Sequence, residues 1–402
     1  MSIKNILNDI IANKNNGLED FFERHNKIHP PFIYNSVDIR YSGFKIAPVD
    51  TNIFPAGFSL FSEAELDYSA KELKNFIGKY HPFLQGKKIL IVPENHTRNK
   101  YYLDNLANLK TICEKAGFET RIGGVKVKQE PQVIESQTKG TVRVERIIRE
   151  GDKIYLPQNS LHQEFHPDFI ILNNDIPHGI ADVLRNIEIP ILPSPKYGWY
   201  NRTKSNYFDE YKKISEAFAK EFSIDDWLIS AIHTQCGKIN FKEREGLECV
   251  ADKAFYALEK IKKKYKEYKI EQKPYLFIKS NKGTYGMGII TISNPKEIFE
   301  INKDERKSMV ASKEGKAITE VVIQEGIPTV EKIDGKVAEP LMYLIGGKVV
   351  ACNYRINTEK SDRVNLNSKG MGFAKVGADE LCSVNSLIAR LAVLGAQYEQ
   401  YK

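Results

Sequence analysis

The sequence predicts a mixed fold: an open α/β domain over residues 1–204, followed by an α+β domain over residues 205–402. Three observations predict it. Buried strand-like runs alternate with a helical stretch between residues 86 and 192, the signature of an open parallel sheet. From Pro274 the pattern changes to short β-rich runs joined by glycine-rich connectors. Between these parts, residues 205–271 read mainly as helix.

The elements follow in order. Residues 1–35 look helical and pass through Pro30-Pro31 into extended chain. Residues 36–60 alternate charged and apolar residues with recurring Pro and Gly, and read as a structured, polar-lined loop. Residues 88–92 (KILIV) are a buried strand, 101–117 a helix stopped by Gly117, and 118–122 a second strand. Residues 169–172 form a third strand, a helix is expected near 179–186, and 189–192 close the series. The stretch 123–165 breaks this rhythm and reads as an inserted hairpin or flap. In the second half, strands are expected at 275–279, 288–292, 317–324, 337–345 and 348–355.

Composition narrows the class. The chain has 402 residues, 42% apolar and 28% charged, which is ordinary for a globular protein and too long for one domain. Its apolar runs are too short to span a bilayer, and Lys4, Asp9 and Lys14 interrupt the N-terminal apolar pattern, so neither a membrane partner nor an export signal is expected. The net charge of +7 gathers most densely at Lys262-Lys263-Lys264-Tyr265-Lys266, read as a solvated helix face rather than a nucleic-acid stripe. The five cysteines are odd in number and none forms a C-x-x-C pair. A reduced, cytoplasmic protein without a disulfide framework or zinc knuckle is therefore expected. A homo-oligomer is compatible with all of this.

The chemistry concentrates in the second half. Residues 277–289 read Phe-Ile-Lys-Ser-Asn-Lys-Gly-Thr-Tyr-Gly-Met-Gly-Ile: a strand ending in Lys279, a glycine-rich turn, then another strand. Gly283, Gly286 and Gly288 let backbone N–H groups approach anionic oxygens, while Lys279 and Lys282 add positive charge. Thr284, Tyr285 and Met287 complete this candidate phosphate loop. The G-x-x-G-x-G spacing lies between strands, so it is not a dinucleotide fingerprint, and no Walker motif occurs. A tight glycine hairpin with solvated lysines is the competing reading. About forty residues on, a β-branched strand ends in Gln324-Glu325-Gly326-Ile327, a hinge suited to an adenine edge and ribose hydroxyls, or simply a strand end.

Next, Glu339 opens one strand and Arg355 closes the following one across a Gly346-Gly347 turn, so the two can face one pocket. A fixed guanidinium there would stabilise charge during phosphoryl transfer; a plain surface ion pair is the alternative. Asn365 and Asn367 fall on one face if the chain is extended, and their amide oxygens can ligate Mg²⁺. His162 and His166 sit four apart but are closely bracketed by prolines, which disfavours a metal helix.

The order of these features resembles the ATP-grasp nucleotide fold. The N-terminal half sharpens the likeness. Asp38-Ile39-Arg40, the run from Gly43 to Phe58, Pro93-Glu94-Asn95-His96-Thr97-Arg98-Asn99, Leu172-Asn173-Asn174-Asp175, and the run from Gly198 to Asn206 are similar to signatures of the bacterial ATP-grasp glutamate–cysteine ligase family. The resemblance spans about residues 30–380. It implies a pre-ATP-grasp-like α/β domain followed by an ATP-grasp domain. It implies ligation of the glutamate γ-carboxylate to the cysteine amine through an acyl phosphate, using ATP and Mg²⁺, as the first step of glutathione synthesis. ATP would lie on the loop 279–288 and on Gln324 to Ile327, metal on Glu339, Asn365 and Asn367, with Arg355 and Lys282 at the transferring phosphoryl group. A sister ligase with another acid or amine, or a nucleotide-binding regulator without turnover, shares these features.

For glutamate and cysteine, Arg40, Lys45, Arg98, Arg202 and Lys204 are candidate carboxylate clamps. Asp38, Asp50 and Asn52 are candidate ammonium partners, with Asn99 and Asn206 in the same segments. Pro93 and Asn173-Asn174 follow strands, where ligands of open α/β sheets gather.

Overall fold

The computed structural model describes residues 2–94, 99–283, 288–310, 317–367, 370–375 and 384–399. Among them, three sheets and a two-stranded ribbon form. No helix among the described residues is long and apolar enough to cross a membrane.

The first sheet departs most from expectation. Residues 36–60, read as a polar loop, instead supply most of the antiparallel strands Tyr34–Tyr41 and Ile46–Asn52, and only the stretch after Asn52 is loop and a 3₁₀ turn, Phe58–Leu60. Their polar residues are strand residues after all: Val37 and Ile39 enter the core while Ser36, Asp38 and Arg40 face an internal cavity instead of solvent. A register irregularity between Asp38 and Ile39, opposite the proline-containing strand, further obscures the alternation. Tyr34–Tyr41 pairs with Lys336–Ile345, which pairs with Lys348–Asn357, then Met371–Lys375. Residues from both ends of the chain thus share one sheet. The expected Gly346-Gly347 turn is present, with φ of 55° and 77°, values that favour glycine at both positions.

Helix Val384–Glu399 packs behind this sheet and against helix Lys204–Phe222. The contact needs a glycine: a Cβ on Gly395 would lie 2.8 Å from the Tyr211 Cα.

The second sheet is the predicted open α/β element. Strands run in the order Ile191–Leu192, Phe169–Asn173, Lys88–Pro93, Glu119–Gly124, Thr141–Arg146, Gln132–Glu135, all parallel except the last pair. The insert at 123–165 supplies the antiparallel edge hairpin and the ribbon of Ile148–Glu150 with Lys153–Tyr155. The helix expected near 179–186 is only a 3₁₀ turn, Asp182–Leu184. Positive φ at Gly179 and Asn186 brackets it and leaves room for one turn.

The third sheet orders His233–Gly237, Glu320–Glu325, Leu276–Ser280 and Ile289–Ile292, all antiparallel. Helix Leu247–Glu267 covers it with Val250, Ala254, Leu258 and Ile261, leaving Lys262, Lys263 and Lys266 in solvent as the sequence suggested. One expectation is corrected here. Cys236 and Cys249 form a disulfide, so the chain is not fully reduced. Their Cα atoms lie 6.4 Å apart because an edge strand packs against the helix's first turn, a contact invisible in the spacing. Cys113 is a buried free thiol, Cys352 is also buried, and Cys382 lies outside the described residues.

A buried ion pair joins the first and third sheets. Lys45 donates to Glu325 at 2.8 Å, and both side chains are almost fully buried. Glu325 also accepts from the Trp227 indole at 3.2 Å and the Ile232 amide at 2.9 Å. The Lys45 ammonium lies 4.1 Å from the Trp227 ring centroid. Removing one partner leaves a buried charge uncompensated, so Lys45→Met should destabilise the protein by about 3–5 kcal/mol, and Lys45→Met/Glu325→Gln by clearly less. Denaturant unfolding checks this. A loss below about 1 kcal/mol in Lys45→Met would show that the pair does not tie the sheets together.

Candidate active site

The three sheets meet around a cavity of about 820 Å³. Its floor is the polar face of the first sheet, one wall is the end of Leu276–Ser280 with Lys279 and Gly283, and the opposite wall is the carboxyl end of the parallel strands. That last position is where open α/β sheets place ligands.

Glu339 centres the floor. Strand register sets it opposite Arg355. Its carboxylate accepts from Arg355 Nη1 at 2.6 Å and Arg40 Nε at 2.8 Å, while only 2% of the residue is exposed. Burial pushes its proton affinity up, but the two guanidiniums outweigh burial and hold it below the ordinary carboxylate range. Arg355 Nη2 also reaches Asp38 at 3.1 Å. For Asp38 burial prevails, aided by the neighbouring Glu339 and Asp50, and its pKa rises despite Arg355. The other Arg40 donors bind the carbonyls of Ile327 at 3.2 Å and Val364 at 2.6 Å, so its fork fastens the loop after residue 361 to the floor.

Lys279 faces the cavity and donates to Gln324 Oε1 at 2.7 Å. Burial, with Lys204 and Arg40 nearby, brings its pKa down to about 8, although Asp50 and Glu339 partly offset the effect. Asp50 lies 3.5 Å from the Lys204 ammonium. Burial raises the Asp50 proton affinity, but Lys204, Lys279 and Arg202 more than reverse this. Lys204 rests 4.2 Å from the Trp199 ring centroid, and the Trp199 amide donates to the Asp175 carbonyl at 3.0 Å. Asp175, Lys204, Asp50 and Lys279 thereby form a line of alternating charges around the wall.

The structure gathers many predicted residues at this cavity: Arg40, Asp50, Asn52, Asn99, Lys204, Lys279, Gly283, Glu339, Arg355, Asn365 and Asn367 all line it. Asn365 and Asn367 are not on extended chain; Asn365 Oδ1 accepts from the Asn367 amide at 3.0 Å in a tight local turn. Other predicted residues sit elsewhere. Lys45 and Glu325 are in the buried pair described above. Arg202 donates to Glu399 at 2.9 Å and to the Thr51 carbonyl at 2.6 Å. Asn206 is exposed in the first turn of its helix, and Lys282 is exposed beside Gly283. Gln324 is buried behind Lys279, the Gly326 amide donates to the Tyr275 carbonyl, and Ile327 is in the core. Gly288 adopts a positive φ where a Cβ would lie 2.8 Å from Ile318. Arg98, Thr284, Tyr285, Gly286 and Met287 lie outside the described residues.

Further cavity residues carried no assigned role in the sequence reading. Glu94, Asp175 and Trp199 appeared only inside longer motifs, and their positions just after strands were the available signal. Tyr102 and Asn105 lie on helix Lys100–Lys115 at a spacing of three, on a buried side that also carries Asp104 and Asn108. They brace the wall: Tyr102 donates to the Asn173 carbonyl at 2.9 Å, and Asn105 Oδ1 accepts from the Gly57 amide at 2.8 Å. His162 and His166 are exposed and do not line the cavity. Among the described residues, no group of three His, Cys, Asp or Glu side chains converges as a metal site.

A cavity with a partly desolvated lysine at one end and a paired carboxylate and ammonium on its wall suits a ligase that handles anionic and zwitterionic substrates. The comparisons with known proteins agree. A family model for glutamate–cysteine ligase matches residues 8–400. The chain belongs to the glutamate–cysteine ligase family and is a ligase that joins glutamate to cysteine. It is similar to the solved structure of a candidate gamma-glutamylcysteine synthetase from Methylobacillus flagellatus KT, with 32% identity and a TM-score of 0.88 over 99% of this chain and 95% of that one. A D-alanyl-alanine synthetase A from Vibrio cholerae is distant, at 13% identity and a TM-score of 0.31 over 68% of each chain, and carries no argument. No curated protein matches.

The Lys279 environment has a measurable consequence. Its folded pKa of about 8 lies below the ordinary value of 10.5, so between these limits the unfolded chain binds more protons than the folded one. Stability should therefore gain a contribution as pH rises through that window, and Lys279→Met should lack it. Urea unfolding of both proteins from pH 7 to 10 tests this. Identical pH slopes would place Lys279 in a solvated setting.

Proposed function

We propose that the cavity binds ATP, glutamate and cysteine together and joins them through a γ-glutamyl phosphate, in the manner of ATP-grasp ligases. The third sheet is the nucleotide lobe in this reading and the first sheet is the catalytic floor. The single observation that carries it is the continuity of one cavity from Lys279 to the Asp50–Lys204 pair. A phosphate-binding cation and a partner for an amino-acid zwitterion thus share one compartment.

Each residue has a role that follows from its surroundings. Lys279 meets the phosphates, held in place by Gln324, and the backbone at Gly283 borders them, with Lys282 adding positive charge at the loop. Segment 324–327 supports the nucleotide mainly by fixing Lys279 and Arg40, since its side chains are engaged inside the protein. Lys204 takes a glutamate carboxylate, and Asp50 with Asn52 takes its ammonium. Arg355 offsets charge as the γ-phosphoryl group moves to the γ-carboxylate. Arg40 fixes Glu339 rather than touching substrate.

The residues fit a magnesium ion. Mg²⁺ commonly takes one or two protein carboxylates, its own waters and substrate phosphates. Glu339, kept ionised by two arginines, with the amide oxygens of Asn365 and Asn367, supplies such a set in the same cavity. When bound there, Mg²⁺ supplies positive charge to the ATP phosphates. Holding the three substrates in line is most of the catalysis, so no protein nucleophile is required.

ADP release should require glutamate and cysteine together. Lys279→Ala removes a charge-assisted contact worth about 1.5–3 kcal/mol and should lower kcat/KM for ATP roughly 10- to 150-fold. Asp50→Asn should raise KM for glutamate while leaving nucleotide affinity in place. Steady-state kinetics with each substrate varied in turn, together with nucleotide titration, separates the two. Wild-type ATP kinetics in Lys279→Ala, or an Asp50→Asn defect confined to ATP, would contradict these assignments.

A further inference from the structure

The ligation needs a group that accepts a proton from the attacking amine, and the roles assigned above leave that group unnamed. We propose that Asp175 is this general base, and that the cysteine amine is received at the Asp175 end of the cavity. The inference rests on the ligase reading above and assigns its second half-reaction.

Position argues first. Asp175 follows strand Phe169–Asn173 at the carboxyl end of the parallel sheet and lines the same cavity as Lys279. The wall runs from Lys279 through Asp50 and Lys204 to Asp175. With the transferring phosphate at the first of these and glutamate at the middle pair, the incoming amine is left the far end. Glu94 lines the cavity there too, brought close because strands Lys88–Pro93 and Phe169–Asn173 are neighbours with Pro93 opposite Asn173.

Rigidity and availability argue next. The Asp175 backbone is pinned by the Trp199 amide, and the adjoining Asn174 Oδ1 accepts from the Ile176 amide at 2.7 Å, which fixes the turn that presents the side chain. No hydrogen bond to the Asp175 carboxylate forms among the described residues, in contrast to Glu339, Glu325 and Asp104. It is therefore a cavity-lining carboxylate that no described residue engages by a hydrogen bond. Among the described residues, the charged groups facing it are Glu94, Lys204, Asp50 and Arg202. Burial, reinforced by Glu94 and Asp50 and opposed by Lys204 and Arg202, holds its proton affinity well above the ordinary carboxylate range. A base is more effective as its pKa approaches the working pH.

The step balances. Cysteine arrives as an ammonium and its nitrogen gives one proton to an Asp175 carboxylate oxygen. The freed lone pair forms the C–N bond to the acyl carbon, and the C–O bond to phosphate breaks with its electron pair on phosphate. The second nitrogen proton leaves with the phosphate group, and the protonated Asp175 later releases its own to solvent.

The test separates this step from the one before it. Hydroxylamine is largely neutral at neutral pH and needs no base, and with glutamate and ATP it traps the acyl phosphate as γ-glutamyl hydroxamate. Asp175→Asn, nearly the same size, should lower kcat/KM for cysteine roughly 10²- to 10⁴-fold, mainly through kcat, and keep hydroxamate formation. It should also remove the acidic limb of the cysteine pH–rate profile. Asp175→Glu, less similar in size but still a carboxylate, should retain more cysteine activity than Asp175→Asn. Unchanged cysteine kinetics in Asp175→Asn would overturn the proposal. So would an equal loss of hydroxamate formation, which would place Asp175 at glutamate or in the scaffold. Absence of hydroxamate with the wild-type protein would instead overturn the acyl-phosphate reading on which the proposal stands.

Discussion

Glu339 is buried and ionised, and the site depends on how that charge is kept. A carboxylate removed from water remains charged only where cations and donors replace its hydration. Arg40 comes from the N-terminal hairpin, whereas Arg355 and Glu339 face each other across the C-terminal one. The pairing of Tyr34–Tyr41 with Lys336–Ile345 brings them together. One electrostatic cluster therefore holds the two ends of the chain in register and presets the field at the cavity floor. Arg40 extends that order outward through the carbonyls of Ile327 and Val364, placing the turn that carries Asn365 and Asn367. In the proposed reaction, preorganised charge of this kind would act on the transferring phosphoryl group without reorganising.

The Lys45–Glu325 pair plays a different part. It lies off the cavity, fully enclosed, and locks the turn before Ile46–Asn52 to the third sheet. That lock sets where Asp50, on one sheet, stands relative to Lys279, on the other. The alternation of charge from Asp175 to Lys279 is a product of packing, since its members come from separate sheets, a loop and a helix terminus.

Much of this was legible in the sequence, and the reasons for the failures are physical. The parallel strands stood out because both their faces are buried, giving near-continuous apolar runs. The Gly346-Gly347 hairpin was readable from turn chemistry, and with it the facing of Glu339 and Arg355. Residues 36–60 misled because strands whose polar face lines a cavity have the composition of a loop. Lys45 and Arg202 are the right residue type for a carboxylate clamp, yet each is bound to a carboxylate of the protein itself. Composition does not tell an internal salt bridge from a substrate clamp. The Cys236–Cys249 pairing was hidden for a similar reason: it follows from an edge strand meeting a helix terminus, not from spacing.

The central claim is that one cavity holds nucleotide and glutamate with the γ-phosphoryl group between Lys279 and the Asp50–Lys204 wall. A crystal structure of the protein with glutamate and a non-hydrolysable ATP analogue tests it most directly. The account predicts the γ-phosphate within hydrogen-bond reach of Lys279, and the glutamate side-chain carboxylate pointing at it from the Asp50–Lys204 side. A nucleotide bound outside this cavity, or glutamate with its γ-carboxylate turned away from the phosphate, would contradict it.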